Sequence, residues 1–104
     1  MFYKVVRQAV LQKKAIYAKY DGEYLEMCPH IIGTKSGREQ ALCYQYGGES
    51  TGRTIEPDGS PRNWRAIDIA KLTDVVIADS DEWHTAPPRT RPLTCIDVID
   101  EDVP

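Results

Sequence analysis

Apolar positions recur at helical spacing at the start of the chain. Across residues 3–13, "YKVVRQAVLQK", Val6, Ala9, Val10 and Lys13 fall on one side and predict a short amphipathic helix. The period then changes to two. In "AIYAKY", Ile16, Ala18 and Tyr20 share one face, and Tyr17 and Lys19 the other. Asp21-Gly22 follows as a two-residue hairpin turn, because glycine accepts the positive φ such a turn demands. The partner strand, "EYLEMCPHIIGT", is long, and Pro29 has no N–H for a ladder, so a bulge or sharp bend is expected near it. A second turn, "KSGRE", leads into "QALCYQY", where Leu42, Tyr44 and Tyr46 share a face.

Sixteen residues without period follow, "GGESTGRTIEPDGSPR", with four glycines and two prolines. A loop of that length inside a small domain is expected to be mobile or functional. "NWRAIDI" reads as a fourth strand, "AKLT" as a tight turn and "DVVIA" as a fifth strand. These elements predict a mainly β domain over residues 1–79, a small, strongly bent five-stranded barrel with a short N-terminal helix across one end. Residues 80–104 hold four prolines and an acidic end. They read as a partly disordered tail in which "LTCIDVI" offers an edge strand.

Composition narrows the classes. A length of 104 residues fits one core, and apolar and charged fractions of 41% and 28% are ordinary. No run approaches the roughly 18 apolar residues of a membrane span. The opening "MFYKVVRQAVLQKK" resembles neither a signal nor a transit peptide, so a cytoplasmic protein without a membrane partner is expected. Three widely spaced cysteines, Cys28, Cys43 and Cys95, make a poor disulfide framework. Charge is uneven. Residues 1–78 carry 11 Lys/Arg against 9 Asp/Glu, whereas residues 79–104 carry 2 against 7. The acidic tail is therefore expected either to cover the basic surface in imitation of an anionic ligand, in part through Asp97, Asp100, Glu101 and Asp102, or to serve as a solubilising appendage without contact.

The candidate chemistry centres on Arg65. It is in phase with Ile67 and Ile69, so it shares the face that those residues bury. An arginine there calls for an acidic partner (Glu26 or Asp68), a route to water, or a ligand phosphate or carboxylate gripped by its fork of donors. Arg53 and Arg62 bracket the long loop, and Arg38 lies with Lys35 in a turn that can face it. Lys71 follows in the turn between the last two strands. Trp64 is out of phase with Arg65 and is expected to pack beneath the helix, with base stacking as its functional alternative. Trp83-His84 reads as an anchor tying the tail to the barrel.

Catalysis and metal binding find little support. Cys28, His30, Cys43 and His84 lack the paired spacing of a zinc site. No nucleophile context surrounds His30, and no glycine-rich phosphate loop follows a strand, so neither an enzyme nor a cofactor is expected.

The order of elements resembles the WYL domain, an SH3-like (Sm-like) barrel. Ile16 and Tyr20 fall near that family's first pattern, Met27 and Pro29 on its "V.P" portion, and Leu42 on the last residue of its naming triplet. Arg65, Ile67, Ile69, Lys71 and Leu72 track its closing motif. The rest of the triplet reads Gln40-Ala41, and a family arginine and aspartate fall on Leu25 and Ala70. The resemblance spans residues 5–78. It implies a ligand-sensing or accessory module, of the kind found in bacterial transcription regulators and phage-defence systems. Such modules bind nucleotides or nucleic acid through basic residues, of which Arg65 and Lys71 carry over. The expected partner is thus an anionic ligand, a nucleotide or oligonucleotide, at Arg65, Lys71, Arg62, Arg53 and Arg38. The alternative is a protein-binding or self-associating barrel that uses an edge strand and no small ligand.

Overall fold

The helical period becomes α1, Tyr3–Gln12, which buries Val6, Ala9 and Val10. It ends at Lys13 in the left-handed region, φ 55°. There the N–H groups of Lys13 and Lys14 return to the carbonyls of Val10 and Ala9, closing the helix in a Schellman arrangement. The computed structural model describes residues 2–49, 54–87 and 95–104. Among them α1 leads six antiparallel strands: β1 Ile16–Tyr20, β2 Glu23–Lys35, β3 Arg38–Gly48, β4 Trp64–Asp68, β5 Leu72–Ile77 and β6 Val98–Asp102. Five run in the order β4-β3-β2-β1-β5, and the sixth, from the acidic tail, pairs with β2. A mainly β domain with one short N-terminal helix is therefore what the chain forms, with one strand more than expected.

Both predicted hairpins are present for the predicted reason. Asp21 and Gly22 have φ 51° and 84°, and Ser36 and Gly37 have φ 51° and 79°, so each turn has two successive positive φ angles. β2 shifts register against β3 between Glu26 and Met27, and again between Pro29 and Ile31. Its first part, Glu23–Met27, pairs with β1, and its second, Ile31–Thr34, pairs with β6. Pro29, which has no N–H to give, stands between the two stretches.

The inner face of the sheet meets α1. Val6 and Val10 pack there with Ile16, Leu25, Met27, Ile32, Ala41, Cys43, Ile67, Ile69 and Leu72. Full burial of each aliphatic chain of this size contributes about 1.5–3 kcal/mol, so this cluster dominates the stability of the fold. The outer face is covered too. Ala78 and Ala86, from a strap spanning residues 78–87, close over Ala15, Cys28 and Tyr44, with Trp64 and Trp83 half-buried beside them. Ile96 closes over Ile31 and Leu42. Double-sided cover explains why residues 27–33 and 41–45 are buried without alternation.

The tail's charges have partners on the body. Arg7 Nε and Nη2 reach Asp100 and Glu101 at 3.1 and 2.6 Å, Tyr3 Oη donates to Asp100 at 2.8 Å, and Lys35 meets Asp97 at 3.7 Å. The acidic end thus lies over α1 and the β2–β3 turn. No helix among the described residues is long and apolar enough to cross a membrane.

Candidate functional site

Arg65 stands opposite Cys43 in the β3–β4 register, on the inner face. Gln45, two residues further along β3, is buried. Its amide nitrogen donates to the carbonyls of Gly47 and Glu49, both at 3.2 Å, which turns its oxygen toward β4. Arg65 Nη1 donates to that oxygen at 3.1 Å, and its Cζ lies 5.6 Å from the centre of the Tyr20 ring. Tyr20 Oη in turn accepts the N–H of Asp68 at 3.1 Å. Every one of these partners of the guanidinium is neutral.

The two carboxylates expected to neutralise Arg65 are engaged elsewhere. Asp68 pairs with Arg38 at 2.8 Å, and its other oxygen caps the 3₁₀ turn Ile69–Lys71 through the N–H of Ala70. Glu26 lies on the outer face and accepts Tyr24 Oη at 2.9 Å. Among the described residues Arg65 therefore carries a half-buried charge that no carboxylate meets. Four of its five N–H donors remain beyond the one given to Gln45. An oxyanion is the group that such a fork fits.

The other predicted positions divide. Arg38 is linked to Arg65 through Asp68 and Tyr20, although its own charge is spent on Asp68. Lys71 is exposed in the 3₁₀ turn after β4, and Arg62 is exposed in the 3₁₀ turn Pro61–Asn63 before it. These two cations thus flank opposite ends of the strand that carries Arg65. Arg53 lies outside the described residues.

The loop before β4 is less free than its composition suggests. Tyr44 Oη accepts the N–H of Gly59 at 2.8 Å and donates to the carbonyl of Ser60 at 2.9 Å. Buried Asn63 exchanges two hydrogen bonds with the backbone of Glu56, at 2.8 and 2.9 Å. Residues 56–63 are accordingly pinned to β3.

Two histidines hold a second cluster, on the outer face. His30 is buried between Trp64 and Trp83, its ring 4.6 and 4.7 Å from theirs. Its Nδ1 faces the Cys28 carbonyl at 2.7 Å and must donate, so its Nε2 can accept the Thr85 hydroxyl at 3.0 Å. Trp64 does face away from Arg65, but it packs against His30 and Tyr44 and not beneath α1. Trp83 anchors the strap, as expected of it.

His84 stacks on Tyr46 at 4.1 Å. Its Nδ1 meets Asp58 at 2.9 Å, and its Nε2 meets Glu82 at 2.7 Å. Burial alone would lower its pKa, but hydrogen bonds to Glu82 and Asp58 outweigh burial and raise it. Its backbone N–H points at Cys28 Sγ, 3.3 Å away. Burial pushes the Cys28 thiol up to about 12 and the Cys43 thiol higher still, so both stay protonated and unreactive at neutral pH. The run "MCPHIIG", residues 27–33, in which His30 is the one polar side chain and apolar and polar positions do not alternate, is the local signal that a second layer covers this face. The partners on that layer are long-range and carry no local pattern.

No family model, no curated protein and no solved structure matches this chain.

Proposed function

We propose that this chain is a small ligand-sensing or accessory domain of the SH3-like (Sm-like) barrel class, similar to WYL domains, that binds an anionic ligand at Arg65. The ligand class is a nucleotide or a nucleic-acid end, and the setting that the resemblance implies is bacterial transcription regulation or phage defence in the cytoplasm. The strand order β4-β3-β2-β1-β5, a leading helix and a 3₁₀ turn between β4 and β5 support the barrel reading. One observation carries the ligand reading: the Arg65 guanidinium rests on an amide oxygen and an aromatic ring, with no carboxylate beside it among the described residues. A binding arginine kept ready for an incoming phosphate needs neutral support of that kind, since a resident carboxylate competes for the same donors. Lys71 and Arg62, at the two ends of β4, add to the positive field that an anion meets on approach.

Titration with mono- and oligonucleotides, in parallel for the native chain and Arg65→Ala, tests the reading. Saturable binding that Arg65→Ala removes while unfolding stays cooperative supports it. Equal binding by both proteins overturns it.

A second reading rests on β6, where Val98 and Ile99 are 65% and 46% exposed. An edge strand carrying such residues suits a protein-binding or self-associating barrel. Concentration-dependent association that survives Arg65→Ala, without nucleotide binding, favours that alternative.

A further inference from the structure

The outer face carries chemistry opposite in sign to the Arg65 end. Strand pairing sets Tyr17 of β1 opposite Glu26 of β2, and Lys19 opposite Tyr24. The Tyr17 and Tyr24 rings lie 6.4 Å apart. Tyr46 of β3, stacked with His84 of the strap, extends the aromatic surface. Tyr24, 38% exposed, is the most open of these rings to solvent that the burial pattern identifies on this face.

Glu26 is built into this surface. Its carboxylate accepts Tyr24 Oη at 2.9 Å, and β2–β3 register places Gly47 opposite it. A Cβ at residue 47 would collide with Glu26 Oε1, so the glycine leaves the slot in which the carboxylate lies. Glu49 is adjacent, accepting the N–H of Tyr24 at 2.9 Å. Neither Glu26 nor Glu49 has a Lys or Arg ion-pair partner among the described residues. Lys19, on the same side of the hairpin, reaches toward Asp74 at 4.0 Å. Asp58 and Glu82 are already taken by His84. Burial first, and then Glu26, raise the pKa of Tyr24, while burial together with Tyr17, Glu82 and Glu26 raises that of Tyr46.

We propose that Tyr17, Tyr24, Tyr46 and Glu26, with Glu49 at the margin, form a docking surface for an arginine-bearing segment of a protein partner. A guanidinium laid on the Tyr24 ring gains from the ring's negative face, and its N–H groups find the free lone pairs of the tethered Glu26 carboxylate. The same carboxylates repel phosphate, so these tyrosines do not form a base-stacking platform despite their number. Charge complementarity thus commits the surface to a basic peptide and separates it from the anion site at Arg65.

A fluorescent hexapeptide of alternating glycine and arginine provides the probe, with the glycine–citrulline peptide as its uncharged analogue. Binding is read by anisotropy at 150 mM salt, with circular dichroism confirming that each variant is folded. The expected result is saturable binding of the arginine peptide, weakened at least fivefold by Tyr24→Leu and by Glu26→Gln and unchanged by Arg65→Ala. Equal affinity for the citrulline peptide, insensitivity to Glu26→Gln, or no saturable binding overturns the proposal. Because Arg65→Ala leaves this surface intact, failure here is distinguishable from failure of the nucleotide reading.

Discussion

The Arg65 guanidinium donates to the side-chain oxygen of Gln45 at 3.1 Å, so its nearest polar neighbour is an amide where a carboxylate was the simpler expectation. Gln45→Glu puts a negative charge at that position with little change in shape. The variant should fold, and it should bind nucleotides at least tenfold more weakly, since a charge-assisted hydrogen bond contributes about 1.5–3 kcal/mol and the new carboxylate competes for it. Loss of the two amide donations to Gly47 and Glu49 should lower stability by about 1–2 kcal/mol. Isothermal titration beside denaturant unfolding separates the two effects. Unchanged affinity in Gln45→Glu would place the anion elsewhere.

His84 joins three parts of the chain: Asp58 in the loop, Glu82 in the strap and the Tyr46 ring of β3, with its backbone on Cys28 of β2. The pKa of its ring in the folded chain stands above the ordinary value, raised by the two carboxylates against the opposing effect of burial. The stabilisation is complete below the ordinary histidine value and drains away as pH rises through the raised one. Compared with His84→Gln, the native chain should therefore gain a few degrees in melting temperature at pH 5.5 and much less at pH 8.5. A melting difference independent of pH would show that stacking on Tyr46, and not charge, holds the strap.

Trp83 ties the strap to the outer face by packing on His30 and the Tyr44 cluster. Truncating a fully buried aromatic costs about 3–5 kcal/mol, and Trp83 is only half-buried, so Trp83→Ala should cost about 2 kcal/mol in urea unfolding. Amide exchange should quicken across residues 78–87 and leave β1, held between β2 and β5, protected. Uniform loss of protection would mean that the strap is part of the global folding unit.

These outer-face contacts mark where sequence reading stops. The helix, the Asp21-Gly22 and Ser36-Gly37 turns and the bend at Pro29 are set by neighbours within a few residues, so pattern and turn chemistry reveal them. The phase of Arg65 with Ile67 is equally local. Its rest on Gln45 depends on the β3–β4 register and on how the Gln45 amide is turned by Gly47 and Glu49, which no single stretch encodes. Trp64 faces the predicted side but finds its packing partners in His30 and Tyr44, where a helix partner was expected. His84 and Asp58, separated by 26 residues, meet only because strap and loop fold over the same sheet face. The edge strand that "LTCIDVI" offers does form, shifted toward the end of the chain as β6, but its partner, the second half of β2, is long-range and no local pattern names it.

Gly33 is the residue that lets the tail dock. A Cβ there would collide with the carbonyl of Val98 and approach Ile96 Cγ2 at 2.9 Å, so Gly33→Ala should push β6 off β2. What holds β6 is backbone pairing, buried Ile96, and the donations of Asp97 N–H to Thr34 and Val103 N–H to His30 at 2.8 and 2.7 Å. The exposed pairs of Arg7 with Asp100 and Glu101 add at most about 1 kcal/mol each. Removal of residues 96–104 should therefore cost about 2–4 kcal/mol, mostly through the lost ladder and Ile96. Gly33→Ala should reproduce much of that loss with the chain intact. Since the tail's carboxylates engage Arg7 and Lys35, the Arg65-dependent part of nucleotide affinity should change less than twofold in either variant. That part is the difference between each variant and its Arg65→Ala counterpart, measured at low salt where screening is weakest. A severalfold rise on truncation that vanishes with Arg65→Ala would instead show the acidic tail competing with the anion for Arg65.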